Sequence, residues 1–191
     1  MSKGRLFVIS GPSGAGKSTI TKKIISLKDN LFLSTSVTTR KPRIGEIDGK
    51  DYYFYTKEKF IENIEKNNFI EYAKVHNNYY GTLKSEISEK LEMGKNIILE
   101  IDVQGGEQIK KQCSDAVLIF VKAPNKDELE KRLRSRNTDT EEVIELRLKN
   151  SLKELEYEKF YNEILINITI EDSLDKLSQI IDKYVTGGDI S

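Results

Sequence analysis

The sequence has 191 residues, a length that favours one domain built around a single core. Its 31 basic and 31 acidic residues give a formal net charge of zero, which argues against a nucleic acid or an anionic membrane as the main partner. One cysteine and one histidine leave neither an intrachain disulfide nor a zinc-binding spacing. No apolar run approaches the roughly 20 residues that span a bilayer, so we expect a soluble, cytoplasmic protein.

The first element is a short apolar run that leads into a glycine-rich loop. Residues 6–10 predict a buried strand, and residues 18–27 place apolar side chains at helical spacing, so the loop joins a strand to a helix. The loop fits the phosphate-binding pattern G-x-x-x-x-G-K-[ST]. With Thr19 added, the residues expected to bind ATP here are Gly11, Pro12, Ser13, Gly14, Ala15, Gly16, Lys17, Ser18 and Thr19.

This loop indicates a nucleoside triphosphate site. Its small residues let successive backbone N–H groups turn inward around phosphate oxygens, at the positive N-terminal end of the following helix. Lys17 would reach the β- and γ-phosphates, and the hydroxyl of Ser18 would ligate Mg²⁺. A GTPase, an ATPase, a small-molecule kinase and a motor all carry such a loop, so other residues must decide between them.

Residues 34–83 differ in character from the flanking sequence. They contain clustered tyrosines, an Arg-Lys-Pro-Arg corner at residues 40–43 and several turn residues. Asp48-Gly49 is a hairpin-type turn signal, and residues 58–67 have a helical pattern. We interpret this segment as an inserted lobe with short strands and one helix.

The rest of the chain alternates strand and helix. Apolar strands are predicted at residues 97–103, 116–122 and 163–168, and helices at about 104–112, 125–136, 140–160 and 172–185. This alternation predicts an α/β fold with a parallel sheet flanked by helices on both faces. A polar, arginine-rich stretch at about 134–147 predicts a second, mobile insertion. We therefore expect one domain with three parts: a core (1–33, 84–124 and 148–191), a lobe (34–83) and a lid (about 125–147).

Several segments resemble the guanylate kinase family, over about residues 5–185. The first is Ser-Gly-Pro-Ser-Gly-Ala-Gly-Lys-Ser at 10–18, which contains the phosphate loop. The others are Ser-Val-Thr-Thr-Arg-Lys-Pro-Arg-Ile-Gly-Glu at 36–46, Gly-Lys-Asp-Tyr-Tyr-Phe at 49–54, Phe-Ile-Glu-Tyr-Ala at 69–73, Asn-Tyr-Tyr-Gly-Thr at 78–82, Glu-Ile-Asp-Val-Gln-Gly at 100–105 and Arg-Leu-Arg-Ser-Arg at 132–136. The resemblance implies a P-loop kinase fold with a GMP-binding lobe and a lid. It also implies the reaction ATP + GMP ⇌ ADP + GDP, with Mg²⁺ as cofactor and the two nucleotides as partners.

By this resemblance, the phosphate of GMP is bound by Arg40, Arg43, Tyr52 and Tyr80. The chemistry agrees, because Pro42 would hold both arginines in one rigid turn and guanidinium groups suit bidentate contact with a phosphate dianion. The alternative interpretation of the two arginines is a solvated basic corner.

The guanine base calls for a carboxylate. Guanine presents N1–H and a 2-amino group side by side, and a carboxylate accepts from both, whereas it would repel the bare N1 of adenine. The resemblance assigns this contact to Glu71, adds the hydroxyls of Ser36 and Thr82, and places Asp102 near the 2-amino group. Thr82 stands where many members have serine, and it retains the hydroxyl. Without the resemblance, Glu71 would be an ordinary exposed glutamate.

A pair of acidic residues follows an apolar strand near the phosphate loop. Glu100 and Asp102 resemble the residues that support Mg²⁺ through its water ligands, alongside direct ligation by Ser18. Strand alternation predicts that the two carboxylates point to opposite faces, which favours Asp102 as the one that contacts ligand.

Arginines beside the second insertion resemble the family's lid arginines, which close over ATP. Arg136 and Arg147 correspond best, with Arg132 a secondary candidate. The alternative is a helix surface with ion pairs such as Glu128–Arg132. Because a transferring phosphoryl group spreads charge over three oxygens, the expected catalytic residues are Lys17, Arg40, Arg136 and Arg147.

The chain departs from the family's pattern in two places. The lid reads Arg134-Ser135-Arg136-Asn137 where many members have Arg-Gly-Arg-Gly, and the loss of two glycines predicts a stiffer hinge. Near the C-terminus, Asn167 is expected to meet the adenine of ATP, although its neighbours differ from the usual Val-Asn-Asp-Asp.

Two rival functions remain at this stage. Another nucleoside monophosphate kinase, acting on AMP, UMP or dTMP, would share the phosphate loop but would not call for Ser36, Glu71 and Thr82. A guanylate-kinase-like interaction module typically has a degraded phosphate loop, whereas Lys17 and Ser18 are intact here. No role is predicted for His76 or Cys113.

Overall fold

The computed structural model describes residues 3–75, 77–135 and 140–187. Its main sheet has five strands, all parallel, in the order β2 (Leu31–Leu33), β7 (Asn96–Glu100), β1 (Leu6–Ser10), β8 (Val117–Lys122) and β9 (Glu163–Ile166). The predicted α/β fold with a parallel sheet is therefore confirmed.

Helices cover both faces of this sheet, namely α1 (Lys17–Leu27), α3 (Lys84–Glu92), α4 (Val103–Gln112) and α7 (Ile170–Thr186). Alternate residues of a strand point to opposite faces. Phe7 and Ile9 accordingly share a core with Ile20 of α1 and Leu177 of α7. Val8, from the same strand, belongs to the opposite core, which α3 and α4 complete. Burial on both sides explains why the strands read as continuous apolar runs.

A second sheet of four strands is formed by β4 (Tyr53–Phe54), β3 (Val37–Thr38), β6 (Asn78–Leu83) and β5 (Phe69–Val75). Helix α2 (Lys57–Glu65) packs on it through Phe60, whose ring stacks on Phe69 with centroids 4.4 Å apart. Val37 completes this small separate core. All these elements fall within the predicted lobe at residues 34–83.

The turn signalled by Asp48-Gly49 forms, but it does not join the two antiparallel strands of a hairpin. Gly49 has a φ of +75° and its N–H donates to Tyr52 O at 2.8 Å, so a tight turn does form. The strands on either side of it, β3 and β4, nevertheless run parallel. The antiparallel pairs of this sheet are β3 with β6 and β5 with β6.

Other boundaries also differ from the prediction. The strand expected at 97–103 ends at Glu100, because Asp102 caps α4 by accepting a hydrogen bond from Gly105 N at 2.8 Å. The helix expected at about 125–136 is present as α5 (Lys126–Arg134). The helix expected at 140–160 divides into α6 (Glu141–Glu154) and a 3-10 helix (Leu155–Phe160). Both β2 and α3 were missed, since one is a three-residue strand and the other is mostly polar. Within the described ranges, no helix has the length and apolar character needed to cross a membrane.

Candidate active site

A cavity of about 710 Å³ lies where the carboxyl ends of β1 and β7 meet the second sheet and α6. Ligands of open parallel sheets bind in this position. The phosphate loop contributes Gly11, Ser13, Gly14 and residues 16–19 to the lining. The predicted GMP and metal sites contribute Ser36, Tyr52, Glu71, Tyr80, Glu100 and Asp102. One cavity thus brings together residues from both predicted nucleotide sites.

The backbone of the phosphate loop requires its glycines. Gly11 has a φ of +141°, and a Cβ there would collide with the carbonyl oxygen of Val121 on β8. Lys17, the first residue of α1, folds back across the loop, where its Nζ donates to Gly11 O at 2.5 Å and to Pro12 O at 3.0 Å. The Nζ therefore already lies at the phosphate-binding backbone. Pro12 and Ala15 do not line the cavity, although both were predicted at ATP.

Oxygen ligands suited to Mg²⁺ converge beside this loop. The hydroxyl of Ser18 donates to Glu100 Oε1, and Asp102 lines the same cavity. The expectation that Glu100 and Asp102 point to opposite faces is wrong, because β7 ends at Glu100 and strand alternation does not reach Asp102. Magnesium in kinase sites takes a few protein oxygens and completes its shell with phosphates and water. The described part of the chain contains no group of three or more metal-ligating His, Cys, Asp or Glu residues.

The predicted guanine carboxylate is buried. Glu71 on β5 is 4% exposed, and its Oε1 accepts a hydrogen bond from Thr82 Oγ1 on β6 at 2.8 Å. Its Oε2 lies against Gly105 of α4, where an added Cβ would be 2.5 Å from that oxygen. Burial raises the pKa of Glu71 to about 7, the hydrogen bond from Thr82 opposes that rise, and the charge of Asp102 adds to it.

This geometry gives Glu71 a fixed orientation. The strand register sets Thr82 opposite it, and the glycine at position 105 leaves room for its second oxygen. Thr82 is fully buried behind the carboxylate, so its hydroxyl orients Glu71 while Ser36 reaches the cavity itself. Sequence reasoning missed Gly105, because the close approach of α4 to β5 is a tertiary feature.

The tyrosines and arginines predicted at the GMP phosphate occupy two layers. Tyr52 and Tyr80 line the cavity, with ring centroids 6.2 Å apart. Arg40 lies behind them, its guanidinium carbon 5.4 Å from the ring centroid of Tyr52. The same guanidinium pairs with Glu46, and the side chain of Arg43 is at the exposed corner. Neither arginine lines the cavity in this conformation.

Helix α6 lines the cavity beside the phosphate loop, where Ser151 Oγ donates to Ser13 O at 3.4 Å. Arg147, Asn150, Ser151 and Glu154 all line it, and of these only Arg147 was predicted. Their spacing of three, four and seven residues marks one helical face, a signal that was present in the sequence. Burial raises the pKa of Glu154, and the nearby charge of Lys17 opposes the rise. The other predicted lid residue, Arg136, lies outside the described residues.

Two residues predicted at ATP are placed elsewhere. Asn167 is 5% exposed; its Nδ2 donates to Ala15 O at 2.8 Å, and its Oδ1 accepts from Ser173 Oγ at 2.9 Å. It thus braces the phosphate loop from behind instead of facing the cavity. Arg132 donates from Nε to Glu128 at 2.9 Å and from Nη2 to Asn167 O at 3.0 Å. The helix-surface pair considered as the alternative for Arg132 is therefore present.

A triphosphate loop on one side of the cavity, and a buried carboxylate with two phenols on the other, leave space for two nucleotides face to face. This is the arrangement of a P-loop nucleotide kinase, in which positioning and charge neutralisation carry the chemistry. The guanylate kinase family model matches residues 3–184, and the chain belongs to the guanylate kinase family. The known reaction of that family is phosphoryl transfer from ATP to GMP.

Individual relatives are similar along nearly the whole chain. A guanylate kinase of Fusobacterium nucleatum subsp. nucleatum is 57% identical over 185 residues, which cover 97% of this chain and 100% of the relative. One from Clostridium tetani is 47% identical, covering 95% and 86%. Among solved structures, guanylate kinase from Anaplasma phagocytophilum has a TM-score of 0.78 at 32% identity, covering 94% of this chain and 85% of that one.

Proposed function

We propose that this chain transfers the γ-phosphoryl group of ATP to GMP within the cavity described above, with Glu71 as the residue that selects guanine. The single observation that carries the acceptor assignment is the carboxyl group of Glu71, buried on β5 and lining the same cavity as the phosphate loop. Membership of the guanylate kinase family supports the same acceptor.

Recognition of the base follows from the hydrogen-bonding capacity of Glu71. Thr82 already donates to Oε1, and each carboxylate oxygen has a second lone pair. An ionised Glu71 accepts from both N1–H and the 2-amino group of guanine. Adenine, which presents a bare N1, would place a lone pair against the buried carboxylate and add no donor to that of Thr82, and that costs far more than a lost surface contact.

Transfer needs no general base, because the GMP phosphate is itself the nucleophile and is ionised at neutral pH. Lys17 and Arg147, which both line the cavity, would hold the γ-phosphoryl group and offset its charge. Ser18, with Glu100 and Asp102 through water, would hold Mg²⁺, which neutralises phosphate charge when bound. Closure of the lobe (34–83) and the lid (125–147) would exclude water and suppress hydrolysis of ATP.

The assignment of Glu71 predicts that guanine binding depends on pH. The carboxyl has a pKa of about 7 when buried, so it is mostly protonated below that pH and can then accept only one of the two N–H groups. Guanosine is the suitable ligand, because it lacks a phosphate that titrates in this range. Its affinity should rise about tenfold per pH unit from about pH 5 to about pH 7 and then level off.

The matched variant is Glu71→Gln, whose side chain does not titrate. Titration calorimetry or ligand-observed NMR at several pH values would compare the two proteins. Wild-type affinity that rises with pH, together with weak and pH-independent binding to the variant, is the expected result. If guanosine bound the wild type equally well at all these pH values, Glu71 would not be the guanine-binding carboxylate.

A further inference from the structure

One carboxylate holds the phosphate-binding corner together. Glu46 accepts two parallel hydrogen bonds from Arg40, from Nη2 at 2.8 Å and from Nη1 at 2.9 Å. Its Oε2 also accepts from the backbone N–H of Arg43 at 2.7 Å. Glu46 therefore ties both arginines of the predicted GMP-phosphate site to a single group.

This contact is strong for one near a protein surface. The side chains of Arg40 and Glu46 are only 15% and 18% exposed, so water screens their charges incompletely. Hydrogen bonding to Arg40, then to the backbone of Arg43, lowers the pKa of Glu46 to about 2. The carboxylate is therefore ionised throughout the neutral range, and bidentate geometry fixes the plane of the guanidinium.

The pairing leaves one edge of Arg40 that neither Glu46 nor Lys41 occupies. A guanidinium has five N–H donors. Glu46 takes one from each Nη atom, and the carbonyl oxygen of Lys41 takes the other one on Nη1 at 2.7 Å. The donors not used by these partners, on Nε and on Nη2, lie side by side and form a second fork. Tyr80, which lines the cavity, interacts with the same guanidinium.

We propose that Glu46 is a positioning residue, which holds Arg40 so that its Nε–Nη2 edge is presented to the phosphate of GMP. This inference rests on the proposed function, since it takes GMP as the acceptor. The opposite arrangement is that Glu46 competes with the phosphate for Arg40. In that case, removing Glu46 would strengthen GMP binding, so the two arrangements predict effects of opposite sign.

The test is steady-state kinetics of Glu46→Gln. The KM for GMP should rise about tenfold, because an amide has only one acceptor oxygen and its NH₂ group, a donor, would face the donors of the guanidinium. The KM for ATP should not change, and neither should the affinity for guanosine, which lacks the phosphate. A general loss of structure would weaken guanosine binding as well. Glu62→Gln, an exposed glutamate of α2 that pairs with Lys66, is the matched control and should behave as the wild type.

A double-mutant cycle shows whether Glu46 acts through Arg40. If it does, Glu46→Gln should add nothing to the loss caused by Arg40→Ala. An unchanged or lowered KM for GMP in Glu46→Gln, or a full additive loss in the double variant, would overturn the inference. Turnover of GMP by the wild type is measured in the same assay, so failure of the proposed function would be seen separately.

Discussion

Replacement of Lys17 by alanine should lower kcat for phosphoryl transfer by about a hundred- to a thousandfold, the usual loss when one positioned donor to developing charge is removed. The Nζ of Lys17 lies between the carbonyl oxygens of Gly11 and Pro12, at the mouth of the phosphate loop. No other described side chain of the loop offers a cation at that point. Release of ADP, followed with saturating ATP, Mg²⁺ and GMP, measures the effect.

The variant should still bind GMP, because Glu71, Tyr52 and Tyr80 lie outside the phosphate loop and α1. Calorimetry with GMP alone therefore separates a loss of transfer from a loss of folding. Lys22→Ala is the matched control, since Lys22 is exposed on the same helix. Its kcat should equal that of the wild type. Activity of Lys17→Ala close to that of the wild type would refute the role assigned to Lys17.

Replacement of Glu71 by glutamine should lower kcat/KM for GMP by about a thousandfold or more, because a site built to pair two donors discriminates strongly once one acceptor is lost. The amide oxygen of glutamine accepts one N–H, but its NH₂ group faces the other guanine donor. The KM for ATP should remain close to the wild-type value, since Glu71 lies on the acceptor side of the cavity.

Misfolding should not be the cause of the lower kcat/KM for GMP in Glu71→Gln. The pKa of Glu71 is about 7 in the folded protein against an ordinary value of 4.5, so the stability linked to its proton is full below about pH 4.5 and lost as the pH rises through 7. At about pH 8 the buried, ionised side chain of Glu71 therefore destabilises the folded state, and the neutral amide of glutamine removes this destabilisation. Chemical denaturation at that pH should find Glu71→Gln at least as stable as the wild type. Glu89→Gln, an exposed glutamate of α3, is the control, and equal loss of GMP activity in both variants would remove Glu71 from the site.

The features that could be predicted from the sequence are those with local causes. The phosphate loop was identified because backbone curvature around a phosphate demands glycines at fixed spacing, and Gly11 does have the positive φ that this requires. The parallel sheet was predicted because strands buried on both faces must be apolar throughout, as residues 6–9 are. Both predictions depend only on residues that are close together in the sequence.

Features that depend on distant contacts could not be predicted. Asn167 faces the phosphate loop because α7 and β9 carry it behind Ala15, which is 152 positions away. The burial that perturbs Glu71 comes from the approach of α4 at Gly105, a helix from another part of the chain. Glu46 was part of a recognised motif, but its bidentate contact with Arg40 depends on the conformation of the turn between them. Glu154 could have been found, since it follows Arg147 by two helical turns.

The most direct test of the central claim is a coupled assay of ADP release with ATP and Mg²⁺, offering GMP, AMP, UMP and dTMP in separate reactions. We expect rapid turnover with GMP and only background rates with the other three. Equal or greater turnover with another monophosphate would contradict the assignment of Glu71 as a guanine carboxylate. No release of ADP with any of the four monophosphates, in a folded protein that binds GMP, would contradict the proposed activity itself.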